Sequence, residues 1–569
     1  MPVNVHSDPI HLFNSHRERL NASVRALAER GHWSAYEENF KHYPDADLKG
    51  AQASFEALLN KRFELCGPRA VAQVGDELSP YGMRLGVTYD QYDLEELMAR
   101  QQSALPGWRD VGQDGRVGVC IEILERLNAL SPIMAHAVMH TTGQGYPMAF
   151  QAGAAHAQDR GLEAVACAWR AMGEIPGTAS YIKQQGKQPP QVLNKRWHIV
   201  PRGLSLVIAC STFPTWNTYP GLFSSLATGN PVMIKAHPAA ILPVAMTVRV
   251  AQDVLSEAGL DPMLVCLVVD TPQEPVAQTL AVDPRVKLVD FTGSSSFGNW
   301  LELNAKQAQV FTEKAGVNAI VLDSVQDLEA VASNLAFSLS LYSGQMCTTP
   351  QLILVPYDGI GHGADRLTFD QVTDALATAV KGLLSDNERA CAVLGAIQSP
   401  ATLARIEACR TLGKVLLDSE ALTHPGYPDA SIRTPLLLEV DADQQASYAE
   451  ERFGPIAFVV ATENSAHSLQ LARDLISTKG ALTLGVYSQD SAYLDQAEVL
   501  AQEVAVALSI NLDSSIYVNQ SAAFSDYHGT GGNPAANASF TDGAFVSRRF
   551  VVVQSRRPAT AWESADELL

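Results

Sequence analysis

The sequence predicts an α/β fold built on doubly wound parallel sheets, and three observations carry that prediction. Short apolar runs recur from residue 204 onward, amphipathic helical stretches separate them, and one run ends in a glycine-bearing turn that opens a helix. Strands covered on both faces by crossover helices read as continuous apolar runs, not as alternating ones. Such an architecture puts its ligand chemistry at the carboxyl ends of the strands.

Element by element, residues 1–80 are polar and helical in pattern (RERLNASVRALAERG, AQASFEALLNKRFEL) and form an expected helical extension. From Tyr92 to about Arg170 helical segments dominate, among them GVCIEILERLNAL and GLEAVACAWRAM. KQQGKQPPQ at 183–191 breaks the pattern as a link and leads into LNKRWHIV. Strands are expected at LSLVIA (204–209), PVMIKA (231–236), MLVCLVVD (263–270) and KLVDFTG (287–293), with helices around Gly221–Ala227 and from about Ala240 to Ala258. A second series follows: NAIVLD from 318, a helix through Ser340, QLILVP from 351, TPLLLEV from 434, IAFVVA from 456 and LTLGVYS from 482. FVVVQ at 550–554 reads as an edge strand that would prefer a partner chain to water.

A chain of 569 residues with 47% hydrophobic content exceeds one ordinary core and excludes disorder; two or three domains are expected. The net charge of −20 argues against nucleic acid or an anionic membrane as partner, though not against a local basic pocket. Residues 203–234 lack every charged residue and histidine, but Pro214, Pro220 and Pro231 divide them into buried strand, loop, helix and strand. The N-terminus has no apolar stretch behind a basic start, so no signal peptide is expected. Eight cysteines without a C-x-x-C pair suggest neither zinc nor disulfides and fit a reducing, cytoplasmic setting.

Phe291 to Gly298 (FTGSSSFG) follows a strand and opens a helix, where free N–H groups attract phosphate. Alone, such a turn also serves as a plain connection. Glu313 closes the run QVFTEK, where a carboxylate is ordinarily just solvated. Cys347, in SGQMCTTP, could be a small buried side chain, or a thiol held near backbone donors that favour its thiolate. His136 and His140 have the i, i+4 spacing of a helical metal pair but no third ligand, so no metal is expected.

The combination is more specific than its parts. TFPTWN at 212–217, IK at 234–235, FTGS at 291–294, Glu313, GQMC at 344–347 and EERFGP at 450–455 occur in this order, and together they resemble the aldehyde dehydrogenase superfamily over roughly residues 85–555. The long N-terminus, STFPTWN, KAHP and HGTGGNP are most similar to phenylacetate-degradation proteins of the PaaN type. The resemblance implies a Rossmann-type cofactor domain over 81–314 (with 183–200 adding an oligomerisation strand) and an α/β catalytic domain over 315–522. It also implies a C-terminal segment over 523–569 that completes a small oligomerisation sheet, in a homodimer or larger. It implies Cys347 as nucleophile, Glu313 as the base that activates water, and Lys235 on the adenosine ribose. Gly293, Ser294 and Gly298 would lie at the pyrophosphate loop, and Glu451 and Phe453 at the nicotinamide ribose.

Two positions depart from the family pattern. Counting back from Lys235 puts Thr212 where the family has its oxyanion-holding Asn; Asn217, five residues on, is the better chemical match. Pro238 stands where NAD-preferring relatives carry an acid against a 2′-phosphate, so NADP is expected to serve at least as well as NAD. The function implied is NAD(P)-dependent oxidation of an aldehyde to an acid through a cysteine thioester. The substrate would be a ring-opened semialdehyde of phenylacetate catabolism carried as a coenzyme A thioester. The rivals are transfer of the acyl group to free coenzyme A, against which Glu313 speaks, and a catalytically silent scaffold.

Overall fold

A computed structural model describes residues 8–559, except 44, 362, 364 and 365. The first seven and last ten residues, parts of the expected N-terminal extension and C-terminal segment, lie outside the described residues.

The apolar runs become two parallel sheets. In the first, five strands lie in the order Gln309–Glu313, Val286–Thr292, Leu204–Ile208, Val232–Lys235 and Val265–Val268, all parallel. Every residue of 204–208, 232–235 and 265–268 is buried, as covering on both faces requires. The second sheet orders Lys414–Leu417, Leu436–Asp441, Ile456–Thr462, Leu352–Pro356, Ala319–Leu322, Thr483–Tyr487 and Ala507–Ile510. Only its edge strand 414–417 runs antiparallel. Helices Thr218–Ala227, Leu242–Glu257 and Leu328–Ser340 fall where the periodicity predicts them.

The extension is not helical throughout. Helices Pro9–Ser15, Arg17–Glu29 and Asp45–Glu56 give way to a three-stranded sheet of Arg62–Phe63, Thr88–Tyr92 and Ala70–Val74, which crosses the expected boundary at 80. Strands of two to five residues with polar content such as TYDQY carry no readable period. The first helix lies directly on helix Gly112–Ala129; a Cβ at Gly118 would come within 2.3 Å of the Phe13 nitrogen, so glycine there permits the contact.

The expected link at 183–191 is a hairpin. Thr178–Gln185 and Gln188–Pro201 pair antiparallel, with a register irregularity between Lys183 and Gln185 opposite Pro189 and Pro190. Prolines are tolerated at such an interruption, where no ladder N–H is needed. The partner of FVVVQ lies in the same chain: Phe550–Pro558 runs antiparallel to 188–201, from Phe550 opposite Pro201 to Pro558 opposite Leu193. The sheet leaves Val551, Val552, Val553 and Ile182 exposed.

Arg549, which precedes that last strand, is wholly buried. It donates to both carboxylate oxygens of Asp290 (2.8 and 2.6 Å) and to Ser225 Oγ, while its carbonyl accepts from Asn230. The C-terminal strand is thereby fixed to the floor of the first sheet.

Candidate active site

Cys347 is set by an unusual backbone. After helix Leu328–Ser340, Tyr342, Ser343 and Gly344 adopt positive φ in succession (52°, 49° and 62°), reversing the chain before Gln345. A left-handed conformation costs a non-glycine residue about 1 kcal/mol or more. Here the tertiary structure enforces it: Tyr342 Oη donates to the Thr142 carbonyl (2.5 Å), and Ser343 Oγ is within bonding distance of the Leu394 and Arg433 carbonyls. At Gly344 a Cβ would meet the Gly454 carbonyl at 2.5 Å, so only glycine fits.

The strand end at Glu313 faces this loop. Glu313 is buried, and Asn217 Nδ2 donates to its Oε2 at 3.2 Å. His528 Nε2 lies 3.2 Å from Glu313 Oε1 and 3.8 Å from Cys347 Sγ. One ligating atom from each of Glu313, Cys347 and His528 lies within 4.8 Å of the others. Burial pushes the Glu313 carboxyl up, but His528, the Cys347 thiol and Arg160 around it together hold it below its usual range. Burial first, and then the Glu313 carboxylate, hold the Cys347 thiol well above its ordinary value.

Cys347, Asn217 and His528 line a cavity of about 390 Å³, with the buried Glu313 against them. Phe213, Trp216, Met346 and Leu341 make its apolar wall near the thiol; Trp33 and His32 from the N-terminal segment and Ala522 and Ala523 from the C-terminal segment close it further out. Trp33 packs edge-on against Phe524, ring centres 4.7 Å apart. The lining also carries Glu38, paired with His156 at 2.5 Å, and the buried Asp159, which accepts from Ser34 Oγ (2.6 Å) and the Ala35 N–H (2.9 Å). Burial raises the Asp159 carboxyl to about 6.

Of the two oxyanion candidates, the structure brings Asn217 into the cavity wall beside Glu313. Thr212 lies outside that lining, its carbonyl accepting from Gln144. Glu451 and Phe453 sit in the segment beside Gly316, Gly344 and Met346. Burial raises the Glu451 carboxyl to about 7, against the Gly316 N–H that it accepts from.

The other predicted residues gather at the carboxyl ends of the first sheet. Gly293 donates to the Glu313 carbonyl, and Ser294 caps helix Ser295–Asn304 by accepting from Phe297 N. Gly298 leaves room for the Lys314 side chain, whose Cγ would lie 2.5 Å from a Cβ there. Lys235 ends its strand and pairs with Asp270 (2.7 Å), which the sequence pattern does not single out. Pro238 follows in a turn where His237 Nδ1 accepts from Ala239 N, which gives this histidine a structural task. A helix start and, across the intervening strand 204–208, a lysine–carboxylate pair at the same end of the sheet suit the pyrophosphate and ribose hydroxyls of a dinucleotide. His136 and His140 stack on Phe55, and His140 Nδ1 bonds Ser79 Oγ.

His528 is the site residue that the sequence does not reveal. It lies in HGTGG, a segment notable in sequence only for its glycines, and it reaches Cys347 from 181 residues away. Its one local signal is a histidine heading a glycine-rich turn, against Trp216 at 4.6 Å.

Comparison with known proteins agrees with this geometry. The model of the family described as "Aldehyde dehydrogenase family" matches residues 87–536. A solved NAD-dependent aldehyde dehydrogenase from Burkholderia multivorans is 51% identical, with a TM-score of 0.95 over 97% of this chain and 99% of that one. Vanillin dehydrogenase from Pseudomonas fluorescens is 28% identical over 424 residues, 72% of this chain and 80% of the relative. A 1-pyrroline-5-carboxylate dehydrogenase from Thermus, solved with bound NAD, shares the fold at 17% identity, with a TM-score of 0.74 over 93% of this chain and 99% of that one.

Proposed function

Because the chain belongs to the aldehyde dehydrogenase family, we propose that it oxidises an aldehyde to a carboxylic acid through a thioester on Cys347. The observation that carries this reading is the meeting of Cys347, Glu313 and Asn217, with Cys347 and Asn217 lining one cavity and the buried Glu313 in contact with both. The thiol sulfur adds to the aldehyde carbon, and the negative charge moves to the carbonyl oxygen. Asn217, with one amide hydrogen on Glu313, has the other to offer that oxygen; such donors count most where water is excluded. A bound nicotinamide supplies the acceptor for the hydride that leaves this carbon. Glu313 then takes a proton from the water that cleaves the thioester.

Lys235 and Asp270 would hold the adenosine ribose, Gly293 and Ser294 with the helix start the pyrophosphate, and Glu451 and Phe453 the nicotinamide ribose. Gly298 would act through packing against Lys314. The expectation that NADP serves at least as well as NAD rests on Pro238, which brings no repelling acid, and on Lys235, which would attract the 2′-phosphate. Asp270 supplies a carboxylate that Pro238 lacks, and this favours NAD.

For substrate, the ring-opened semialdehyde of phenylacetate catabolism is the finer reading. The lining near the thiol is apolar, which suits an uncharged acyl chain, and among the described residues it has no lysine or arginine. A coenzyme A carrier would therefore keep its phosphates outside the cavity. The eight free cysteines support a cytoplasmic setting; no helix among the described residues is long and apolar enough to cross a membrane. The exposed valines of 551–553 and the free edge of their strand support a homodimer or larger, which light scattering tests directly.

The experiment on the reaction is Cys347→Ala. It should abolish NAD(P)H formation with a panel of aldehydes and leave dinucleotide binding nearly intact. Near-wild-type turnover would make Cys347 a bystander. Full turnover only on adding coenzyme A would establish the acylating rival, and no turnover in the wild type with any aldehyde the scaffold.

A further inference from the structure

We propose that His528 is the base that takes the proton from Cys347, which leaves Glu313 free to activate water; this rests on the reading of Cys347 as nucleophile. A general base must lie within reach of the proton it removes. His528 Nε2 is 3.8 Å from Cys347 Sγ and 3.2 Å from Glu313 Oε1, so one nitrogen faces both groups. Imidazole is the side chain that exchanges a proton near neutral pH. The His528 ring is buried edge-on to Trp216, which fixes its plane and direction.

The step balances on these atoms. The Sγ–H bond breaks, its proton passes to the Nε2 lone pair, and the sulfur pair forms the bond to the aldehyde carbon. The new N–H then points at the Glu313 carboxylate, which stabilises the imidazolium that the step creates. Without His528, the proton would have to go to Glu313 itself, and the carboxyl would be spent before hydrolysis. His528 lines the cavity, so its proton can leave to solvent before water attacks the thioester.

The other groups acting here are few. Glu313 and His528 face the thiol directly, while Cys210 and Glu451 act on it through space and Arg160 acts on Glu313. Glu451, raised to about 7 by burial, titrates within the pH span of the assay and enters every profile alike.

The test reads the thiol without the aldehyde reaction. Alkylation of Cys347 by iodoacetamide is followed by peptide mass spectrometry against pH, in wild type and in His528→Gln. The variant should react at least tenfold more slowly at pH 7.5, with the gap narrowing as pH rises and hydroxide takes over removal of the proton. A purely structural role would not give a deficit that high pH repairs. In a second arm, His528→Ala should regain alkylation in proportion to added imidazole, to which the wild type does not respond. Superimposed profiles for His528→Gln, or no response of His528→Ala to imidazole, would overturn the assignment. Failure of aldehyde oxidation with the alkylation contrast intact would instead strike at the proposed function, because this assay contains neither aldehyde nor dinucleotide.

Discussion

The Lys235 ammonium stands 2.7 Å from the Asp270 carboxylate, both nearly buried, where two neighbouring parallel strands end. The cation expected to meet the ribose is thus already matched to an anion. A 2′-phosphate arriving there would confront that carboxylate at close range, with little water to screen the repulsion. Wild type should therefore show higher kcat/KM with NAD than with NADP. Asp270→Asn should raise the NADP-to-NAD ratio on the order of tenfold, about 1.4 kcal/mol. Dissociation constants for the two dinucleotides, from fluorescence titration, should move in parallel. An unchanged ratio would return the choice to Pro238.

Glu313→Gln separates acylation from hydrolysis. Thiol attack and hydride departure should persist in part, while thioester cleavage stalls. Rapid mixing should then show a burst of reduced cofactor followed by a slow steady state. An unaltered steady-state rate would remove Glu313 from the water-activating role.

Trp33 comes from the segment ahead of the matched family region, yet it walls the cavity. Trp33→Ala should change the ratio of kcat/KM between a bulky aromatic aldehyde and acetaldehyde on the order of tenfold, the scale set by an apolar group filling or vacating part of a pocket. Equal effects on the two would show that the segment does not touch substrate.

Asp159 gives a pH signature in stability. Its folded value, raised to about 6 by burial, lies above the ordinary 3.8. Between those values the unfolded chain releases the proton while the folded chain keeps it, so this group makes stability fall as pH rises from about 4 to about 6. Above 6 the penalty is constant, on the order of 3 kcal/mol at most. Asp159→Asn should flatten that part of a melting-temperature profile. An identical profile would mean that the Ser34 and Ala35 bonds cancel the burial cost.

The parallel strands were legible because their composition is set by burial on both faces. Val232–Lys235 and Leu352–Pro356 could be little else. The hairpin over 178–201 was not, because its residues stay largely exposed and carry two adjacent prolines. Cys347 and Glu313 were legible through the order of motifs. Asn217 was ambiguous, because counting residues from Lys235 assumes a fixed length for the intervening helix, and here that helix is Thr218–Ala227. His528 and Asp270 were not, since each acts through a contact across the fold that no local period records.

The bond between Arg549 and Asp290 spans 259 residues of sequence, and this sets a condition on the order of assembly. Synthesis proceeds from the N-terminus, so the first parallel sheet is made long before its arginine emerges. Until then Asp290 has no guanidinium, and a buried carboxylate without its partner costs several kcal/mol. The sheet can gather early, but it reaches its full stability only when residue 549 of 569 has arrived. A polypeptide released between residues 528 and 549 keeps every side chain proposed for catalysis and lacks the clasp. It should therefore be the product that proteases find first, which makes the clasp a check that translation has passed residue 549.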